Sequence, residues 1–201
     1  MIALVDYGIG NLRSVEKALR TVTEEVQLTS DPTVVLAADK VVLPGVGAFG
    51  DGMLGLEERG LVEPLREIVD AGKPLLAICV GMQLLFEWSN EMGVHEGLGL
   101  LPGRVQRFES KELKVPQTGW NQIHPTRSSP LLDGLESNAY AYFNHAYYCE
   151  ARPEDTLAYT DYGGRYSSVI ATGHLYGVQF HPEKSQRVGL AILRNFVEHC
   201  Q

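Results

Sequence analysis

The feature that most constrains this chain is a pattern repeated three times before residue 80: a short apolar run stops abruptly and a helical pattern follows. Residues 2–5 (IALV) stop at Asp6-Tyr7-Gly8-Ile9-Gly10. Val41-Val42-Leu43 stops at Pro44-Gly45-Val46-Gly47, and Leu75-Leu76-Ala77-Ile78 stops at Cys79. An unbroken apolar run suits a strand buried on both faces, and a sheet is buried on both faces when helices cover it. The segments between the runs supply those helices. Leu12, Val15, Leu19 and Val22 recur at helical spacing after Asn11, a residue suited to an N-cap, and Leu61, Leu65, Ile68 and Val69 repeat in the same way.

The second half reads differently. Val105 to Phe108, Ala141 to Cys149, Leu157 to Thr160, Val169 to Thr172 and Tyr176 to Phe180 have strand character, with Asp161-Tyr162-Gly163-Gly164 as a hairpin turn. Val188, Ile192 and Phe196, flanked by Leu193, Val197 and Cys200, predict a closing helix. The expected fold is α/β: a mostly parallel sheet flanked by helices, with an antiparallel extension in the second half, all in one domain over residues 1–201. A chain of 201 residues with 44% hydrophobic and 21% charged residues can bury one continuous core without staples.

Charge narrows the partners. Seventeen Lys and Arg against 25 Asp and Glu leave a net charge of −8, which repels phosphate backbones and disfavours nucleic acid. The start, Met1-Ile2-Ala3-Leu4-Val5-Asp6, has no basic leader, and no window approaches the roughly 18 apolar residues of a membrane span. Cysteine occurs at the odd count of 3, which makes no disulfide framework and fits a reducing, cytoplasmic setting. At least one thiol is therefore free for chemistry.

Cys79 is the candidate. It stands where an apolar strand runs into a helical pattern (Gln83, Leu84, Leu85, Phe86), with small residues two before (Ala77) and two after (Gly81). That is the pattern of a nucleophile elbow, in which a tight strand-to-helix turn crowds the backbone and admits only small neighbours. A helix N-terminus also favours a thiolate. On this segment alone a buried core cysteine is an equal reading, and for Cys149 and Cys200 it is the better one. A base comes from Val178-Gln179-Phe180-His181-Pro182-Glu183, where Pro182 ends a strand. In an extended segment His181 and Glu183 share a face, so the carboxylate can fix the imidazole tautomer. The triad Cys79–His181–Glu183 requires the two strands to meet in one sheet. Gly45, Val46 and Gly47, with the amide of Val80, are suited to an oxyanion hole. Gly8-Ile9-Gly10 lacks the third glycine of a dinucleotide fingerprint, since position 13 is Arg13. The scattered histidines give no metal-site spacing, so neither metal nor cofactor is expected.

These residues resemble class I (triad) glutamine amidotransferases. Asp6-Tyr7-Gly8-Ile9-Gly10-Asn11-Leu12, Pro44-Gly45-Val46-Gly47-Ala48-Phe49, Gly119-Trp120-Asn121-Gln122-Ile123 and His181-Pro182-Glu183-Lys184-Ser185-Gln186 resemble, within that superfamily, the glutaminase subunits of imidazole glycerol phosphate synthase. The resemblance runs from residue 2 to about 197. It implies hydrolysis of glutamine to glutamate and ammonia through a thioester on Cys79. It also implies a heterodimer with a (β/α)₈ cyclase subunit, which receives the ammonia and makes imidazole glycerol phosphate and an aminoimidazole carboxamide ribonucleotide in histidine biosynthesis. By the same resemblance Gln83 and Glu91 hold the α-amino and carboxylate end of glutamine, and His145, Ala146 and Tyr147 line its site. Asn11, Trp120 and Lys184 face the cyclase, with Lys184 contacting the partner rather than glutamine.

The sequence departs from the family pattern at Ala77, where glycine is usual, at Val80 for leucine, at Gln117 for histidine, and at Ala146 for a hydroxyl residue. Three other readings remain. A triad amidotransferase feeding anthranilate, GMP or pyridoxal phosphate synthesis would not carry the Asp6–Leu12 and Glu183–Gln186 segments. A silent module on the same fold need not keep all three triad residues, and a freestanding thiol hydrolase would not need a partner.

Overall fold

The structure, a computed structural model, describes residues 1–109 and 113–201. The first half contains β1 (Ile2–Val5), α1 (Leu12–Arg20), β2 (Val26–Thr29), α2 (Pro32–Ala37), β3 (Lys40–Leu43), α3 (Phe49–Glu58), α4 (Val62–Asp70), β4 (Leu75–Ile78) and α5 (Val80–Leu84). The second half contains β5 (Phe86–Ser89), β6 (His95–Glu96), β7 (Leu101–Arg107), β8 (Gln117–Gln122), β9 (His124–Pro125), β10 (Tyr140–His145) and β11 (Tyr147–Glu150). It closes with β12 (Thr156–Asp161), β13 (Arg165–Thr172), β14 (Leu175–Val178), a 3-10 turn at Pro182–Lys184 and α6 (Gln186–Glu198).

Eight strands form the central sheet in the order β2-β1-β3-β4-β14-β13-β12-β9. From β2 to β14 every pairing is parallel, and from β14 outward every pairing is antiparallel. All residues of β1, β4 and β14 are buried, as their apolar runs require. The antiparallel part includes the predicted hairpin, where Tyr162 N donates to Gly164 O at 2.9 Å. Two smaller sheets, β10-β8 and β11-β7-β5-β6, stand beside the central one. The fold is thus α/β with the antiparallel extension expected.

Several boundaries differ from the sequence reading, each for a local reason. β2 and α2 went unread, because β2 is a half-buried edge strand and α2 has six residues, too few for a helical period. Asp31 caps α2 through Thr33 N at 2.8 Å, with Pro32 in the first turn. Asn11 does hold the N-cap position of α1 but makes no capping bond, and Val22 lies beyond the helix. The run 141–149 breaks at Ala146, because β10 pairs with β8 whereas β11 pairs with β7. The helix after Cys79 ends at Leu84, so Phe86 opens β5 instead of continuing it. The strand before His181 ends at Val178, short of Phe180.

The closing helix is tied to the sheet by one ammonium. Lys40 Nζ donates to the carbonyls of Phe196, Val197 and Cys200, satisfying acceptors that a helix C-terminus leaves open. It also sits 5.7 Å from the Phe196 ring centroid. Lys40→Met keeps the apolar stem and removes the donor. It should lower stability by about 1–2 kcal/mol, seen in urea unfolding as an earlier midpoint at unchanged slope.

Candidate active site

Cys79 follows β4 directly and adopts φ 55° and ψ −112°. A non-glycine residue held at such angles costs on the order of 1–3 kcal/mol and persists only where its surroundings fix it. Here the neighbouring strand and the following helix do so: Cys79 N donates to Val178 O at 2.8 Å, and Gln83 N donates to Cys79 O at 3.2 Å. A Cβ on Gly81 would stand 2.1 Å from Leu43 O, so position 81 excludes any side chain. Ala77 is fully buried and in register with Gly177 of β14, so its extra methyl lies beside a neighbour that has none.

The second strand end brings the imidazole. β14 pairs in parallel with β4, Val178 opposite Ile78, so Cys79 and the segment leading to His181 leave the sheet at the same edge. His181 N donates to Tyr142 O at 2.9 Å, and His181 Nδ1 lies 3.0 Å from Glu183 Oε1. The pair forms as expected but not by strand alternation. Pro182–Lys184 is a 3-10 turn, and the tight turn folds the carboxylate back onto the ring. Both side chains are almost wholly buried, at 3% and 1% exposure. Burial alone would push the His181 pKa down. Hydrogen bonding and charge from Cys79 and Glu183 outweigh it and push it up to about 10. His181 is then imidazolium at neutral pH, with Nε2 left available to the sulfur.

A cavity of about 250 Å³ opens beside the sulfur, lined by Val46, Gly47, Cys79, Val80, Gln83, Glu91, Pro116, Asn144, His145, Ala146, Tyr147, His181 and Lys184. The expected oxyanion and glutamine residues meet there, apart from Gly45. That glycine is buried, and a Cβ there would come within 2.5 Å of Gly81 N and 2.6 Å of the Tyr7 hydroxyl. Gly47 has φ +89° and open space around it. Gln83 donates Nε2 to Tyr147 O at 3.0 Å and to Gln179 Oε1 at 3.2 Å. Glu91 Oε2 accepts from Phe49 N at 2.7 Å, capping the start of α3. His145 donates Nδ1 to Tyr147 O at 2.7 Å, and burial pushes its pKa down to about 4, so it is neutral. Gln117 is buried, and its Oε1 accepts from the Tyr166 hydroxyl at 2.9 Å.

Lys184 lines the cavity as well as facing outward, with Nζ 5.7 Å from the Tyr142 ring centroid. Tyr142 stacks edge-on against Trp120, which is 48% exposed. Asn11 and Trp120 are not among the cavity-lining residues. Sequence reasoning gave no role to Pro116, Asn144, Tyr7 or Gln179. Tyr7 is fully buried and donates its hydroxyl to Pro44 O at 2.5 Å, anchoring the loop that carries Gly45–Gly47. Its position just past the carboxyl end of β1 was the available signal, since ligands of parallel α/β sheets bind at that edge. Among the described residues no group of three or more His, Cys, Asp or Glu is placed to hold a metal ion, and no helix is long and apolar enough to cross a membrane.

The family model "Glutamine amidotransferase class-I" matches residues 3–200. The imidazole glycerol phosphate synthase subunit HisH of Symbiobacterium thermophilum is 53% identical over 196 residues, spanning 97% of this chain and 92% of that protein. The chain belongs to the HisH family of class-I glutamine amidotransferases. HisH of Bacillus cereus is 48% identical over 196 residues, spanning 98% of this chain and 93% of that protein. The fold recurs at lower identity. PurLQS of Thermotoga maritima superposes with a TM-score of 0.79 at 16% identity, covering all of this chain and 98% of that one. A glutamine amidotransferase of Thermotoga maritima does so at 0.70 and 14% identity, covering 99% and 96%. Membership of the HisH family makes this chain a glutamine-hydrolysing enzyme subunit.

The His181 shift has a signed consequence. A histidine whose folded pKa lies above its unfolded value of about 6.5 adds stability that is complete below that value and lost as pH rises toward 10. The imidazole resonances of His181 should titrate well above pH 6.5 in the wild type. They should move down in Glu183→Gln and in Cys79→Ser, and in Glu183→Gln stability should fall less steeply over the same alkaline window.

Proposed function

We propose that residues 1–201 act as one glutaminase domain, with Cys79 as nucleophile, His181 as acid and base, and Glu183 as the residue that orients His181. The Cys79 sulfur attacks the γ-carbonyl carbon of glutamine. The C–N bond breaks, His181 gives its proton to the leaving ammonia, and a γ-glutamyl thioester remains. Water activated by His181 then attacks the thioester, releasing glutamate and restoring the thiolate–imidazolium pair. Backbone amides of the Gly45–Gly47 loop and of Val80 are suited to the oxyanion of both steps.

The observation that carries this reading is the meeting of Cys79, buried His181 and buried Glu183 at one edge of two paired strands, beside the cavity. The rest of the cavity fits a free amino acid. Gln83 spends both amide hydrogens on the protein, so it offers a ligand Oε1 alone. Oε1 and the Glu91 carboxylate are both acceptors, matched to the α-ammonium group of glutamine. His145, Ala146 and Tyr147 line the same cavity. The relatives are subunits of imidazole glycerol phosphate synthase. On that basis the ammonia passes to a (β/α)₈ cyclase subunit in a cytoplasmic heterodimer. There it yields imidazole glycerol phosphate and an aminoimidazole carboxamide ribonucleotide for histidine biosynthesis. Asn11, Trp120 and Lys184 serve as the docking face, and Lys184 links that face to the cavity.

Three measurements test this. Glutamate release should be slow from the chain alone and strongly stimulated by a cyclase subunit carrying its nucleotide ligand; full activity alone would exclude gating by the partner. In the stimulated assay Cys79→Ser should lose at least about 10³-fold in kcat, and wild-type-like turnover would rule out the thioester. Lys184→Ala should weaken stimulation or docking more than glutamine KM, and unchanged stimulation with unchanged partner affinity would remove Lys184 from that role.

A further inference from the structure

Gln179 has no part in the reaction as written above, yet it touches the reacting atom. It is fully buried, held by a bond from its backbone N to Ser168 O at 2.9 Å. Its Nε2 lies 3.8 Å from Cys79 Sγ, within hydrogen-bonding reach for sulfur. Its Oε1 lies 3.2 Å from Gln83 Nε2, which also donates to Tyr147 O at 3.0 Å.

The direction of these bonds is fixed from one end. A backbone carbonyl can only accept, so the end of the Gln83 amide that faces Tyr147 O must be the nitrogen. That nitrogen also faces Gln179, so the Gln179 atom opposite it must be the oxygen. The nitrogen of Gln179 is then the atom turned toward Cys79. One main-chain carbonyl thus dictates, through two side-chain amides in series, that the sulfur meets a donor. A hydrogen bond of this kind is worth more to an ionised acceptor than to a neutral one. It therefore favours the thiolate over the thiol and restricts where the sulfur points.

We propose that Gln179 is a positioning residue of the glutaminase reaction, donating a hydrogen bond to the Cys79 thiolate and joining the nucleophile to the substrate-reading side chain of Gln83. This rests on the nucleophile role of Cys79. It adds to that role a fixed donor that is already in place before glutamine arrives, supplementing the pairing with His181. It also gives the Gln83 amide two tasks, one toward the ligand through Oε1 and one toward the sulfur through Nε2 and Gln179.

The test reads the sulfur directly and needs neither glutamine nor a partner subunit. The rate of Cys79 alkylation by iodoacetamide is followed against pH by peptide mass spectrometry in the wild type, Gln179→Met and Gln179→Glu. Met removes the donor at similar volume. Glu keeps an acceptor for Gln83 and turns an oxygen toward the sulfur. In both variants the midpoint of the pH profile should rise by about one unit, a roughly tenfold loss of rate below it, and in Gln179→Glu by at least as much. Midpoints that coincide with the wild type in folded variants would overturn the proposal. Should neither variant fold, the side-chain amide resonance of Gln179 in the intact wild-type chain decides. It should titrate with the alkylation midpoint and cease to titrate in Cys79→Ser, and a resonance that never titrates overturns the proposal. Undiminished glutamate release by Cys79→Ser would instead sink the thioester reading, while the alkylation profiles would still report on the Gln179 bond.

Discussion

The site depends on the parallel pairing of β4 with β14. Residues 75–78 and 175–178 are far apart in the chain and lie side by side in register, so both strands end at the same edge of the sheet. The bond from Cys79 N to Val178 O extends that ladder by one rung into the elbow itself. The backbone reversal at Cys79 is therefore held by the sheet as well as by the helix that follows. Two glycines let this edge close. Gly81 lets the elbow close against Leu43, and Gly45 lets the adjoining loop close against the elbow and Tyr7. Substitution at any of these contacts moves backbone, because the atoms in the way belong largely to main chain or to a buried ring.

Much of this was legible in the sequence, and the failures share a physical cause. β1, β4 and the Val41–Leu43 part of β3 were readable because strand segments covered on both faces are apolar. α6 was readable because thirteen residues show a full helical stripe. β2 and α2 were not, because an edge strand and a six-residue helix bury too little to impose a period. The Ala146 break could not be read from composition, since both flanking segments are strand-like and only their different partners separate them. At the site, the strand-to-helix elbow at Cys79 and the His181–Glu183 pair were legible through residue type and spacing. The extended geometry assigned to that pair was wrong, because proline at 182 starts a tight turn and brings the carboxylate round by curvature instead of alternation. Tyr7 and Gln179 escaped for a different reason. Each acts through a long-range hydrogen bond, to Pro44 and to Cys79, that no local pattern records.

The buried polar groups of the site are arranged around carbonyls whose direction cannot be altered by protonation. Tyr147 O accepts from both His145 and Gln83, and with those two donors in place the Nδ1-protonated tautomer of His145, kept neutral by burial, and the orientation of the Gln83 amide follow. Fixed acceptors of this kind hold side chains in position over the pH range where the peptide itself does not titrate. His181 is the exception, placed between a carboxylate and a sulfur so that its charge is set by them.

The three cysteines are all free and all buried, but they are not equivalent. Burial pushes the thiols of Cys149 and Cys200 up, and neither lines the cavity, whereas Cys79 does. Toward a small electrophile in solution the folded chain therefore presents a single sulfur despite holding three. The number of competent sites in a preparation can be counted by the number of molecules that accept one label, and unfolding announces itself as a label count that rises from one toward three.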